Sequence, residues 1–144
     1  MSADQASLHG FQVLIGTWET VATHPMIEGA IPGTVTFEWG PGGQFVVQRT
    51  QNDHEQVPDA TAVIGPPEDG DGMVMEYFDS RGVRRTYGVS LDAGVMRWWR
   101  HEPGFEQRYS AVLAPGAFEA SGQLARNPGE WEDDLHVTYR RVED

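Results

Sequence analysis

The side chains best suited to holding a small molecule occur in short segments between residues 73 and 109. In "MVMEYFD" (73–79) and "GVRRTYGVSL" (82–91), every second residue is apolar or aromatic, except that Arg85 interrupts the apolar series. Alternate residues of a strand share one face, so this arginine is predicted to face inward. An inward arginine needs a partner. Arg85 therefore either forms an ion pair with Asp79 or a glutamate, or contacts a ligand.

The segment "VMRWWRHEPGFEQRYSAVL" continues the same kind of face. If Arg97 faces solvent, Trp98 and Arg100 face inward, and a second aromatic face follows the "EPG" turn. Apolar walls with a few polar groups are typical of small-molecule sites, although such a face can also be filled by its own side chains. The predicted ligand-binding residues are Met75, Tyr77, Arg85, Tyr87, Trp98, Arg100, Phe105, Gln107, Tyr109 and His24.

Sequence signatures of common catalytic sites are missing, and the catalytic residues of any reaction stay unknown. There is no Gly-x-Ser-x-Gly, phosphate-binding loop or dinucleotide fingerprint. His54 and His136 adjoin acids in "NDHE" and "WEDDLH", but without the spacing of a helical zinc site. A histidine near an open rim, His24 or His101, could still act as a general base beside a tyrosine or an arginine.

Composition limits the partners. A chain of 144 residues has room for one core, and its formal charge of −12 argues against nucleic acid or an anionic membrane as a partner. All ten cationic residues are arginine, as expected of a GC-rich bacterial genome, and there is no cysteine. The segment "MSADQASLHG" lacks the basic and apolar regions of a signal peptide, so a cytoplasmic protein is expected.

Turn-forming clusters recur every eight to twelve residues and separate runs rich in Val, Thr, Phe, Tyr and Trp. This pattern predicts an all-β fold, a single up-and-down antiparallel β-barrel of about ten strands; short hairpins favour the barrel over a sandwich. A short N-terminal helix over residues 3–14, capped by Ser2 or Asp4, gives a division into a helical cap (1–15) and a barrel (16–144). The strands are predicted at 16–24, 31–39, 44–52, 59–65, 73–79, 82–91, 95–102, 105–113, 117–126 and 130–142.

The first of these strands, "GTWETVATH", places Trp18 and His24 on one face, about 20 Å apart at ~3.3 Å per residue. Gly16 and Trp18 at the start of the first strand, ten strands in series and the arginines of "YRR" in the last strand together resemble the calycin superfamily. That group includes lipocalins, fatty-acid-binding proteins and nitrobindins. In it, the tryptophan closes one end of the barrel, beneath an arginine of the last strand.

The resemblance therefore implies that Arg140 or Arg141 covers Trp18. Adjacent strand residues face opposite ways, so only one of them can do so. Arg141 is favoured because it shares a face with the apolar series that includes Leu135 and Val137. His24 would then lie at the opposite, open mouth.

The resemblance also carries functional expectations. The first is binding of a small, mainly hydrophobic molecule, with its polar end held by Arg85 or Gln107; Arg85-x-Tyr87 is similar to the carboxylate-binding pair of fatty-acid-binding proteins, although the last strand here reads Tyr139-x-Arg141. This function needs no cofactor. The second is a nitrobindin-like haem protein acting on nitric oxide or peroxynitrite, with iron held by His136. The third is a small isomerase, cyclase or hydrolase using a rim histidine. A homodimer is left open.

Overall fold

The structure is a computed structural model that describes residues 8–142. Its strands form a closed antiparallel barrel in which each strand pairs with its neighbours in sequence and β1 pairs with β10, which confirms the predicted fold. A 3-10 helix, Pro41–Gly43, joins β2 to β3, and no helix among the described residues is long and apolar enough to cross a membrane. The strands are β1 Gly16–His24, β2 Ile27–Trp39, β3 Val46–Asn52, β4 Ala60–Gly65, β5 Met73–Asp79, β6 Arg84–Asp92, β7 Val95–Glu102, β8 Phe105–Val112, β9 Ala117–Ala125 and β10 Trp131–Arg141.

The alternation of side chains makes one interior. Along β1, Trp18, Thr20 and Ala22 are buried while Glu19 and Val21 are exposed. The same two-residue period recurs in β9, where Phe118, Ala120, Gly122 and Leu124 face inward. Apolar side chains from the inward faces of the strands form one core cluster. Its burial is the main force that holds the barrel closed.

The predicted short N-terminal helix over residues 3–14 is only a 3-10 turn in the described residues. Residues Gly10–Leu14 form a 3-10 helix, and residues 3–7 of the prediction lie outside the described residues, as do Ser2 and Asp4. The residue before the 3-10 helix, His9, makes no side-chain capping bond. Packing rather than capping holds this segment, because Phe11 and Leu14 are fully buried against the end of the barrel.

Trp18 and Arg141 close this end of the barrel. The indole of Trp18 is fully buried, and its Nε1 donates to the carbonyl oxygen of Leu14 at 2.8 Å. The guanidinium carbon of Arg141 lies 4.3 Å from the centre of the indole ring system. Arg140 faces outward instead and pairs with Glu19 at 2.6 Å. Of the two arginines considered from the sequence, Arg141 covers the tryptophan.

Arg141 also ties three separate segments of backbone together. Its Nη1 donates to Ile15 O at 2.8 Å, its Nε to Pro115 O at 2.6 Å, and its Nη2 to Val13 O. Gly16 makes room for this arginine, because a Cβ added there would lie 2.6 Å from Arg141 Nη1. Its φ of +131° also favours glycine. The arginine therefore joins the N-terminal segment, the β8–β9 loop and the last strand.

Candidate ligand-binding site

A cavity of about 500 Å³ occupies the barrel between the closed end and the mouth. Its walls are mainly apolar and aromatic, with Leu14, Phe118 and Tyr139 among the lining residues near the closed end. Nine of the ten predicted ligand-binding residues line it: eight on β5 to β8, where the strand alternation that predicted them is regular, and His24 at the end of β1. These nine are Met75, Tyr77, Arg85, Tyr87, Trp98, Phe105, Gln107, Tyr109 and His24.

The tenth predicted residue, Arg100, does not line the cavity. It is half-buried near the end of β7 and lies opposite Gln107 in register. Its positive charge nevertheless acts on the cavity residue Tyr87. Burial raises the pKa of Tyr87; a side-chain hydrogen bond with Arg85, followed by the positive charges of Arg85 and Arg100, opposes that rise.

A chain of hydrogen bonds runs along one wall of the cavity. Tyr87 Oη donates to Gln107 Oε1 at 3.2 Å, and Gln107 Nε2 donates to Tyr109 Oη at 2.8 Å. Tyr109 Oη in turn donates to Asp134 Oδ2 at 2.7 Å, and His24 Nε2 lies 2.7 Å from Asp134 Oδ1. We call these five residues the polar relay. Their polar groups satisfy one another without a ligand.

The hydrogen-bond partners of His24 determine its tautomer. Its Nδ1 accepts the backbone N–H of Met26 at 3.0 Å, so the ring proton resides on Nε2 and is donated to Asp134. Both ring nitrogens are thus engaged. A general-base role at the rim would require one of these two bonds to break.

Asp134 is a cavity residue that the sequence analysis missed. Register shifts by one residue in β10, from Asp133 opposite Gln123 to His136 opposite Ser121. This β-bulge lets two consecutive residues, Asp134 and Leu135, both line the cavity, which a regular strand does not allow. Strict alternation predicted Leu135 inward and its neighbour outward. The residue types around "EDDLH" contain no signal that predicts this bulge.

Aromatic packing positions the middle of the relay. The ring of Tyr109 stacks on Trp98 with centroids 5.3 Å apart and planes 10° apart. On the neighbouring strand Gly122 lies directly opposite, and a Cβ added there would come within 2.1 Å of the Tyr109 ring. Glycine is thus required at this position for space. Burial, followed by the negative charge of Asp134, raises the pKa of Tyr109 well above its usual range.

Arg85 differs from the two other arginines that line the cavity, Arg81 and Arg126, which each pair with a carboxylate. The predicted acidic partner, Asp79, pairs with Arg81 at 2.7 Å and also accepts Tyr77 Oη at 2.8 Å. Hydrogen bonds from Arg81 hold the pKa of Asp79 well below its usual range. The guanidinium carbon of Arg85 instead lies 5.6 Å from the ring centre of Phe105. No carboxylate within residues 8–142 lies within 4.0 Å of the Arg85 guanidinium nitrogens. The ion pair proposed from the sequence therefore belongs to Arg81.

The remaining histidines do not face the cavity. His136, predicted as the ligand of haem iron, lies on the outer side of β10, 3.7 Å from Glu119, because it alternates with the inward Val137. It does not fit an axial ligand to a haem inside the barrel, so we correct that assignment. His101 is exposed beside Glu106. Within residues 8–142, no group of three or more His, Asp or Glu side chains is arranged to hold a metal ion.

Comparisons with known proteins show a similarity of fold only. No family model matches the sequence, and no curated protein matches it. The solved structure of Rv2717c from M. tuberculosis is similar, with a TM-score of 0.64 and 14% identity over 94% of this chain and 97% of that one. A structure of EF1p2_mFAP2b bound to DFHBI has a TM-score of 0.51 and 12% identity, over 94% of this chain and 99% of that one. At such identities the likeness is one of barrel architecture.

Proposed function

We propose that this protein is a calycin-like binding protein that holds a small, mainly apolar molecule inside the barrel, with an anionic end of the ligand against Arg85. The observation that carries this proposal is the cavity of about 500 Å³ with an arginine on its wall that has no acidic partner among the described residues. A half-buried cation without a partner costs free energy, and a ligand anion would remove that cost.

The shape and chemistry of the walls support a largely apolar ligand. Met75, Trp98 and Phe105 offer apolar and aromatic surface, while the relay residues bond to one another and need no further partner. Cavities of this size and composition are typical of small-molecule sites. The similar barrel EF1p2_mFAP2b is described as bound to DFHBI, so a barrel of related architecture accommodates a small molecule.

The experiment compares carboxylates with their methyl esters in titration calorimetry. The probes are a naphthalene carboxylate, decanoate, and the methyl ester of each, because each pair differs in charge while the apolar part stays constant. We expect the wild-type protein to bind at least one carboxylate more tightly than its ester. In Arg85→Met that carboxylate should bind about tenfold to a hundredfold more weakly, since a hydrogen bond to a charged group contributes about 1.5–3 kcal/mol.

Arg84→Met is the matched control. Arg84 is the sequence neighbour of Arg85, but its exposed side chain lies over Phe78 on the outer face. Its removal should leave carboxylate affinity unchanged. Equal losses in the two variants would indicate a general effect of charge and would contradict the assignment to Arg85. Failure of every probe to bind the wild-type protein would refute the proposed function.

A further inference from the structure

Not all polar side chains in the cavity belong to the polar relay. On β1, Thr20 is only 4% exposed, and its hydroxyl, which is open to the cavity, makes no hydrogen bond within residues 8–142. Buried hydroxyls usually have a partner. The relay residues already bond to one another, so Thr20, on the same strand as His24, is a cavity hydroxyl whose hydrogen-bonding capacity is unmet.

The side-chain oxygens of Thr20 and Asn52, two cavity-lining residues, converge over Gly33, and we call the cavity surface between them the Gly33 recess. Gly33 faces inward between Ile31 and Val35, and it pairs in register with Thr20 on one side and Asn52 on the other. A Cβ added at Gly33 would lie 2.9 Å from Thr20 Oγ1, 3.0 Å from Asn52 Oδ1 and 2.7 Å from Gln51 O. The glycine is not in the left-handed region, so its missing side chain matters for space rather than for backbone conformation.

The bonding of Asn52 fixes the chemistry of the recess. Its Nδ2 donates to Pro58 O at 2.9 Å, which leaves Oδ1 facing Gly33 as an acceptor only. The hydroxyl of Thr20 can both donate and accept. A ligand group that donates to Asn52 and accepts from Thr20 satisfies both atoms. A hydroxyl does this, whereas a carbonyl or carboxylate has no proton to give.

We propose that the ligand carries a hydroxyl group that binds in the Gly33 recess between Thr20 and Asn52. This inference rests on the proposed function, because it adds a second polar anchor to the same cavity. The ligand class becomes a hydroxylated, mainly apolar carboxylate, held at Arg85 by its acid and at Gly33 by its hydroxyl.

The test measures what one added hydroxyl does to affinity. Calorimetry would compare decanoate and a naphthalene carboxylate with series of monohydroxy derivatives that carry the hydroxyl at different carbons. In the wild-type protein, we expect at least one derivative to bind about threefold to tenfold more tightly than its parent, the contribution of a neutral hydrogen bond. Thr20→Val should abolish that advantage and leave the affinity of the parent nearly unchanged.

Three further variants make the result specific. Thr20→Ser retains the hydroxyl and should retain the advantage, whereas Gly33→Ala places a methyl group 2.9 Å from Thr20 Oγ1 and 3.0 Å from Asn52 Oδ1, which must displace these side chains and should remove the advantage. Thr50→Val removes another cavity hydroxyl on β3 and should have no effect on the advantage. Far-UV circular dichroism would verify folding, and if Thr20→Val does not fold, the pair Thr20→Ser and Gly33→Ala decides.

The outcomes separate the two proposals. If the parents bind but no hydroxy derivative gains affinity, the recess assignment alone is wrong. An advantage that survives both Thr20→Val and Gly33→Ala also overturns it, because the hydroxyl then binds elsewhere. If neither the parents nor the derivatives bind the wild-type protein, the proposed function fails and the recess assignment fails with it.

Discussion

Each end of the barrel directs an arginine inward, and the two side chains are in opposite situations. At the closed end, Arg141 gives its donors to three backbone carbonyls and covers the indole of Trp18. Toward the mouth, Arg85 has the ring of Phe105 beside it and no carboxylate within 4.0 Å among the described residues. The same residue type thus completes the fold in one place and lacks an acidic partner among the described residues in the other.

The difference indicates how to separate stability from binding in this molecule. A guanidinium has five N–H donors, and burial is tolerated when those donors are used. Those of Arg141 are used by the protein itself, so its loss should lower the free energy of unfolding. Arg85 lies beside Tyr87 and Phe105 but has no carboxylate partner within residues 8–142, so its loss should lower ligand affinity. The following predictions are ordered by the expected size of the effect.

The largest effect is expected at the closed end, from Trp18→Ala. Removal of this fully buried indole should lower the free energy of unfolding by about 3–5 kcal/mol, measured by urea denaturation. Trp131→Ala is the control, because Trp131 lies on the outer face under Arg108, 3.8 Å from the ring centre. A Trp18→Ala variant as stable as the control would mean that the closed end does not hold the fold.

The second largest effect is expected from Arg141→Met. It should lower the free energy of unfolding by about 2–4 kcal/mol, because three hydrogen bonds and the contact with the indole disappear together. Arg140→Met should leave the urea midpoint almost unchanged, since its ion pair with Glu19 is exposed. In a double-mutant cycle, Trp18 and Arg141 should show a coupling of about 0.5–2 kcal/mol. Additive losses would show that Arg141 acts through the carbonyls alone.

Gly122→Ala tests the polar relay. It should lower the free energy of unfolding by about 1–3 kcal/mol, because overpacking a filled interior destabilises the fold. The new methyl group would meet the Tyr109 ring at 2.1 Å, so the ring must leave its stack on Trp98. Near-ultraviolet circular dichroism should report that movement. Gly94→Ala is unsuitable as a control because its φ is +79°, whereas Gly116→Ala meets no atom within 4 Å and should be nearly neutral.

A smaller, pH-dependent effect is expected from the four tyrosines. Burial raises the pKa of Tyr139 from 10.0 to about 12, and the pKa values of Tyr77, Tyr87 and Tyr109 are raised as well. The folded protein therefore keeps phenolic protons that the unfolded chain loses, so stability is full below pH 10 and falls as pH rises toward 12. Tyrosinate absorbance at pH 10 in the native protein would contradict this expectation.

The smallest effect on stability is expected from Arg85→Met. Within residues 8–142 this side chain has no ion pair to lose, only its contacts with Phe105 and Tyr87, so the urea midpoint should fall much less than in Arg141→Met. The same two variants should reverse their order in carboxylate affinity. If Arg85→Met destabilises the protein as strongly as Arg141→Met, the contrast between the two ends is wrong.

Much of the fold was predictable because alternation and turn residues act locally. The predicted β1 (16–24) and β5 (73–79) coincide with Gly16–His24 and Met73–Asp79. The start of β2 was predicted at residue 31 because "IEGAIPG" suggests a turn, yet the strand begins at Ile27. A register shift between Ala22 and His24 absorbs the extra residues there, including Gly29 with a φ of +82°.

The site was predictable where strands are regular and not where they are interrupted. Tyr87 and Gln107 followed from simple alternation in β6 and β8. The inward position of Asp134 could not be predicted, because it depends on the extra residue in β10. The partner of Asp79 could not be predicted either, because the turn places Arg81 closer to Asp79 than Arg85 is. The recess at Gly33 depends on which residues of β1 and β3 lie opposite it, a pairing that single-strand patterns do not specify.

The bulge in β10 has a consequence for how such a barrel can change its chemistry. An insertion in a closed sheet would normally slide one strand past its neighbours and turn every later side chain over. Here the extra length is absorbed between Asp133 and His136, and Val137 and Tyr139 keep their inward positions. The barrel therefore has a carboxylate in its interior without giving up an apolar lining residue. In this fold, a one-residue change in length can add an acid to a cavity where a substitution would have to replace part of the wall.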